Sequence, residues 1–235
     1  MAAVLLAVGP AYLLRQATGK RRVRRYLMLF VGAVMAWVGF DLYAPRQTDI
    51  RRFDPQEVAR LETMMWRSYY ERRRLRLFAQ MAELLRAQYR LPLLRSNVVA
   101  YQAARAAFVF KDGRRREDYE QALPYLENFY AALRRVSNIA FNPQRAARLE
   151  LEWWIVHRER AQHGPNDLVG VLAAEAAEIY QAPAESMLEH ARLRAEAMTI
   201  RDTQAERGAL TEDDWARIKE LLRRSWESLF KAVNE

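Results

Sequence analysis

The run from Tyr26 to Ala44, YLMLFVGAVMAWVGFDLYA, limits this chain more than any other stretch. It carries no charged residue until Asp41 and follows directly on the basic cluster Lys20-Arg21-Arg22-Val23-Arg24-Arg25. A helix over these residues is about 28 Å long, matching a bilayer's hydrocarbon core of roughly 30 Å. Tyr26, Trp37 and Tyr43 stand toward its ends, where aromatic rings settle among headgroups. Such a run predicts a transmembrane signal anchor over 26–44. It divides the chain into a basic N-terminal segment (1–25), the anchor, and a domain over 45–235.

Charge asymmetry orients the anchor. Six basic residues precede Tyr26, whereas Arg46, Arg51 and Arg52 follow its far end. The positive-inside bias places the N-terminus in the cytoplasm and the C-terminal domain outside it, as a single-pass protein. Residues 1–14, MAAVLLAVGPAYLL, form a shorter apolar run broken by Gly9-Pro10. They are compatible with a partial insertion, a re-entrant stretch, a hairpin crossing or mere upstream sequence. Two further readings of the start stay open. Val34-Met35-Ala36 would serve as a cleavage site for a signal peptide, and an arginine-rich, acid-poor start also suits a transit peptide.

The charge balance also speaks against nucleic acid. The net charge of +9 divides into +5 over residues 1–45 and +4 over the remainder, where 32 basic residues meet 28 acidic ones. The basic runs are interleaved with acids rather than with stacking aromatics, so no nucleic-acid partner is expected. There is no cysteine, which removes disulfides, thiolate metal sites and cysteine nucleophiles.

Beyond the anchor every signal is helical. Asp54-Pro55-Gln56-Glu57 reads as N-cap, first-turn proline and first-turn acid, with Phe53 and Val58 as a staple. The helix it opens is expected to run to about Arg90, where Leu91-Pro92 stops it. Further helices are expected over about 96–111, 115–136 (kinked or restarted at Pro124), 142–162, 167–181, 183–204 and from Thr211 to the end. His163-Gly164-Pro165-Asn166 reads as a loop. No stretch alternates with period 2 for long enough to make a strand. The fold class is all-α: a transmembrane helix followed by a soluble bundle of about seven helices. Asp118 to Leu133, DYEQALPYLENFYAAL, resembles one helix of a tetratricopeptide repeat but has no second copy.

Arg145 to Arg160, RAARLELEWWIVHRER, is apolar nearly all round, which predicts the central helix of the bundle. Glu150 and His157 form one polar seam on it, and Glu152 and Glu159, with Arg145 nearby, form another. Buried carboxylates need partners, and Arg105, Arg194 and Arg201 are available. A carboxylate and an imidazole beside indole rings would suit acid–base work, so Glu150, His157 and His190 are the candidate catalytic residues, with Glu62 and Tyr69 as possible companions. A salt-bridged packing seam explains the same residues without chemistry. Glu152 and His157 are five apart, about 140° round a helix, and Glu185 and His190 repeat that offset. Neither pair can hold one ion, and a metal site would need Glu62, Glu150, His157 and His190 to converge.

The remaining clusters have plain readings. His190 shares a face with Met187, Arg194 and Met198. Glu62, Trp66, Tyr69 and Tyr70 read as a core stripe, and Trp215, Ile218, Leu222, Trp226 and Leu229 as an amphipathic one for the core or a partner helix. Arg72, Arg73, Arg74 and Arg76 read as a solvated face or a contact for anionic headgroups. There is no glycine-rich phosphate loop, nucleophile elbow or His-Glu-x-x-His, and neither a cofactor nor a metal is expected. The functional expectation is a membrane-anchored helical binding or scaffolding protein contacting an envelope partner. The alternative is a tethered helical-bundle enzyme or metalloprotein.

Overall fold

The computed structural model describes residues 9–164, 166–208 and 210–235, with side chains from Arg22 onward except 205–207. Most of the first apolar run (1–8) and Pro165 of the expected loop lie outside the described residues. The chain divides into two units, 1–44 and 45–235.

The first unit is one helix, α1 (Gly9–Tyr43). It passes without a turn through 15–25, so no hairpin bend interrupts the basic segment. Within it Arg22–Tyr43 is long and apolar enough to cross a membrane, with a mean hydropathy of 1.6. Its apolar side chains are bare: Tyr26, Leu27, Leu29, Phe30 and Met35 are all more than half exposed. In water this would be a costly surface, since each such side chain forgoes about 1.5–3 kcal/mol of burial.

The second unit is all-helical among its described residues, apart from one isolated parallel bridge between Thr48 and Ser137. Its helices are α2 (Pro55–Tyr70), α3 (Arg74–Tyr89), α4 (Leu93–Asp112), α5 (Arg116–Glu120), α6 (Leu123–Val136), α7 (Pro143–Arg158), α8 (Asp167–Tyr180), α9 (Leu188–Arg207) and α10 (Glu212–Asn234). Short 3-10 turns lie at Arg160–Gln162 and Ala184–Met187.

Local chemistry sets most boundaries. Asp54 accepts from the amides of Gln56 and Glu57, and Asn142 from those of Gln144 and Arg145. Thr211 and Asp214 form a reciprocal capping box at the start of α10. Pro124 starts a new helix, occupying the first turn of α6.

The helix expected over 55–90 is two helices. Arg72 takes a left-handed conformation (φ 57°), and the amides of Arg72 and Arg73 fold back onto the carbonyls of Tyr69 and Ser68. A straight helix of that length would be about 54 Å, longer than a compact domain of this size, roughly 40 Å across. Folding back lets α2 and α3 pack on each other and share one core. A second break, at Gln121–Ala122, separates α5 from α6, so among the described residues the domain has nine α-helices where about seven were expected.

Eight of these helices close a cycle of neighbours: α2 packs on α3, α3 on α4, α4 on α6, α6 on α7, α7 on α8, α8 on α9, α9 on α10, and α10 on α2. This corrects the expectation for α7, which is one wall of the ring rather than its centre. Its outward apolar side chains are covered locally: Trp154 packs on Phe110 (ring centroids 5.2 Å apart) and on Trp153 (6.1 Å), and α5 lies against the helix. Phe53 sits among Tyr180, Trp226 and Phe230, joining the entry segment to α8 and α10.

Candidate functional site

The ring encloses a polar centre. Glu62 on α2 is almost fully buried and meets Arg194 of α9 at 2.6 Å. Its other oxygen accepts from the indole N–H of Trp226 on α10, also at 2.6 Å. Burial works against the Arg194 charge, but the neighbouring carboxylates, Glu62 first, outweigh it and hold the guanidinium firmly protonated. A buried pair of this kind gains little net stability, yet losing one partner costs about 3–5 kcal/mol because the other charge is stranded.

Beside it, Glu150 of α7 and Glu175 of α8 share the hydroxyl of Tyr130, 2.8 Å from each. The Trp154 indole donates to the second oxygen of Glu150 at 2.8 Å. One hydroxyl proton cannot satisfy two carboxylates, so the arrangement closes only when one carboxyl keeps its own proton. That carboxyl is Glu175: desolvation, then the charge of Glu150, push its pKa well above the usual carboxylate range. Burial, then the charge of Glu150, raise Tyr130 too, keeping it a neutral donor. On the α3 side Gln88 donates to the Tyr180 hydroxyl at 3.2 Å.

The sequence-derived site residues have separate partners. Glu150 belongs to the centre just described. His190 is buried on α9 and faces Ser225 of α10: Nδ1 lies 3.0 Å from the Ser225 carbonyl, and the Ser225 hydroxyl donates to the His190 carbonyl. These partners imply the Nδ1–H tautomer. Burial, reinforced by Arg194, lowers its pKa to about 3, so the ring is neutral at physiological pH. His157 instead meets Asp202 of α9 at 2.8 Å, and Arg201 contacts the other Asp202 oxygen at 2.6 Å. Burial opposes the Asp202 charge, but His157 and Arg201 prevail and its pKa is lowered.

Among the described residues no hydrogen bond or ion pair joins any two of Glu150, His157 and His190. None of the described His, Asp and Glu residues form a group of three able to hold a metal ion. His157 and Asp202 line a pocket of about 160 Å³ with Thr199, Thr203 and His163. An imidazole–carboxylate pair there can hold or pass a proton, though among the described residues no nucleophile is hydrogen-bonded to it. Tyr69 is half exposed and stacks edge-on against Tyr70.

The second seam of α7 dissolves into surface pairs. Glu152 pairs with Arg116 at 2.6 Å, and Arg145 with Glu178 at 3.1 Å. Of the three arginines read as partners, Arg194 enters the centre, Arg201 lies over Tyr70, and Arg105 lies over Tyr125. Sequence reasoning did not single out Tyr130, Glu175, Asp202 or Ser225. A signal existed for Glu175, the one charged residue in the stretch Leu168–Ala177.

The outer surface carries a different feature. On α4, Val98, Tyr101 and Phe108 are each about half exposed (50, 53 and 56%), with Arg105 between them. Arg105 donates to the Tyr125 hydroxyl at 2.9 Å and lies close to the Tyr101 hydroxyl. An exposed helix face of a lone monomer is normally polar.

Comparison with protein-family models, with curated proteins and with solved structures finds no match.

Proposed function

We propose that this chain is a membrane-anchored helical scaffolding protein, acting by localisation and surface complementarity rather than by chemistry. Residues 26–44 hold it in the bilayer with the N-terminus cytoplasmic and the domain 45–235 on the other side. The exposed apolar stripe on α4 is the observation that carries this reading.

The spacing of that stripe favours a second copy of the same face as its occupant. Val98, Tyr101, Arg105 and Phe108 follow intervals of three, four and three, which read identically in both directions. In an antiparallel pair of α4 helices Val98 meets the partner's Phe108, and Tyr101 meets the partner's Arg105. Twofold contacts require this kind of self-complementarity. The guanidinium already sits over a tyrosine within one copy, 5.1 Å from the Tyr125 ring, so a cation–π contact across the pair uses chemistry this face displays. Ala104 beside the stripe lets the backbones approach. Confinement to a membrane raises effective concentration and favours such a modest surface.

The absence of native cysteine makes the test clean. An Ala104→Cys variant of the full chain, in membranes and treated with a short bis-maleimide, should yield a covalent species of twice the monomer mass. Adding Tyr101→Asp and Phe108→Asp should reduce that species at least tenfold. Monomer only, or a cross-link to another protein in place of the doubled mass, contradicts self-pairing through α4.

A second reading, an enzyme, draws on the His157–Asp202 pocket. It predicts that His157→Gln abolishes an activity while sparing the fold.

A further inference from the structure

The turn between α2 and α3 has features that neither the scaffold nor the polar centre uses. Its sequence is Glu71-Arg72-Arg73-Arg74-Leu75-Arg76, and all six residues are exposed. Leu75 is the barest large apolar side chain described in the protein, at 90% exposure. Glu71 takes Arg67 at 2.9 Å and Arg73 at 3.0 Å. Arg72, Arg74 and Arg76 have no acidic partner among the described residues.

The charge of the domain is concentrated here. The α2–α3 hairpin, residues 55–90, holds eight basic and four acidic residues. The rest of 46–235 holds 24 of each. The hairpin therefore accounts for the whole positive excess of the domain.

A cleft of about 280 Å³ opens beneath the turn, lined by Arg67, Arg73, Arg76, Ser68, Glu71 and Gln80. Two observations point to an anionic occupant. First, α3 begins at an N-cap, Arg73, that makes no side-chain capping bond. The amide of Arg74 folds back onto the Arg72 carbonyl, which leaves those of Leu75 and Arg76, with the positive end of the helix dipole, facing outward. Second, Gln80 is 5% exposed, yet its side-chain oxygen has no hydrogen-bond partner. A buried amide seldom goes unsatisfied, and turned over it presents its NH2 to an acceptor entering the cleft. Three guanidinium groups against one carboxylate give the lining a net positive charge.

We infer that the α2–α3 turn is a docking point for an anionic bilayer surface: Leu75 enters the interface, Arg72, Arg74 and Arg76 engage lipid phosphates, and the cleft takes one headgroup phosphate between Arg73, Arg76 and Gln80. Leu75 favours lipid over a free anion, because a bare leucine among arginines matches an apolar layer behind a charged one. Each basic residue near an anionic surface adds attraction that salt screens. The inference rests on the anchor, which keeps the domain beside the bilayer.

The test uses the full chain with Ala79→Cys, an exposed position one turn beyond Leu75, carrying an environment-sensitive fluorophore. It is reconstituted in vesicles of phosphatidylcholine alone or with one-third phosphatidylglycerol. Docking predicts a blue-shifted emission and at least threefold weaker iodide quenching in the anionic vesicles only, reversed by 0.5 M salt at constant iodide. Combining Leu75→Ser with Arg72→Gln, Arg74→Gln and Arg76→Gln should abolish the response, with helical circular dichroism unchanged.

Three outcomes overturn the inference: equal signals in both vesicle types, a signal the combined variant retains, or the same response to inorganic phosphate in neutral vesicles, which would make the cleft a free-anion site. Flotation of the protein with neutral vesicles is read separately. A chain that floats but shows no shift refutes the docking point alone, whereas a chain that does not float refutes the anchor.

Discussion

At the scale of single residues, the Glu150–Tyr130–Glu175 arrangement makes the sharpest demand. Its geometry needs a proton that an ordinary glutamic acid would have lost at neutral pH. Since the folded pKa of Glu175 is raised, the folded state holds a proton that the unfolded chain releases above about 4.5. Wild-type stability should therefore be fully retained below about 4.5 and fall as pH rises from there toward the folded pKa. Glu175→Gln removes the titration while keeping a donor toward the Tyr130 hydroxyl. The variant should be more stable than wild type by about 1–2 kcal/mol at pH 8, with the gap closing toward pH 4.5. Chemical denaturation at both pH values measures it, and a constant gap contradicts the shared proton. The sequence showed that Glu150 lay in a polar seam and needed a partner. It did not show that the partner would be another acid, because that depends on which faces of α7 and α8 meet. His157 and His190 were legible as polar residues in apolar settings, but their partners Asp202 and Ser225 lie on α9 and α10, 45 and 35 positions along the chain.

At the scale of elements, caps were readable and breaks were not. Asp54, Asn142 and Thr211 each cap the helix their side chains announce, because capping is settled within three residues. The turn at Glu71–Arg73 has no glycine, proline or asparagine to mark it. It forms because a closed ring of short helices buries more surface than one long helix, and a left-handed Arg72 is the consequence. That conformation costs a residue with a β-carbon about 1–2 kcal/mol. Arg72→Gly should relieve part of it and raise stability by about 0.5–1 kcal/mol, seen as a melting temperature a few degrees higher. A lowered melting temperature would mean the Arg72 side chain makes contacts worth more than the strain. The all-round apolar pattern of α7 was equally ambiguous: it fits a central helix, and it also fits a wall whose outer side is covered by α5 and the end of α4.

At the scale of the whole molecule, the two units present opposite surfaces. The unit 45–235 gathers its apolar side chains inward around a polar centre supplied by seven of its helices, and keeps most charges outside. The helix of the first unit does the reverse, with Phe30, Met35 and Phe40 each more than 60% exposed over a span of bilayer length. The all-α class and the apolar span were legible from the sequence, because each rests on composition along a single segment. Closure of eight helices into a ring was not, since it depends on pairings between distant segments. Lipid is the proposed solvent of that apolar helix; the proposed docking of the α2–α3 turn depends on it, and the proposed pairing through α4 is favoured by it. Expression of the full chain and of residues 45–235, followed by alkaline extraction and gradient flotation of the membranes, tests this most directly. A lipid-embedded anchor predicts that the full chain stays with the floating membrane fraction after extraction while residues 45–235 are released. A full chain recovered in the soluble fraction would contradict it.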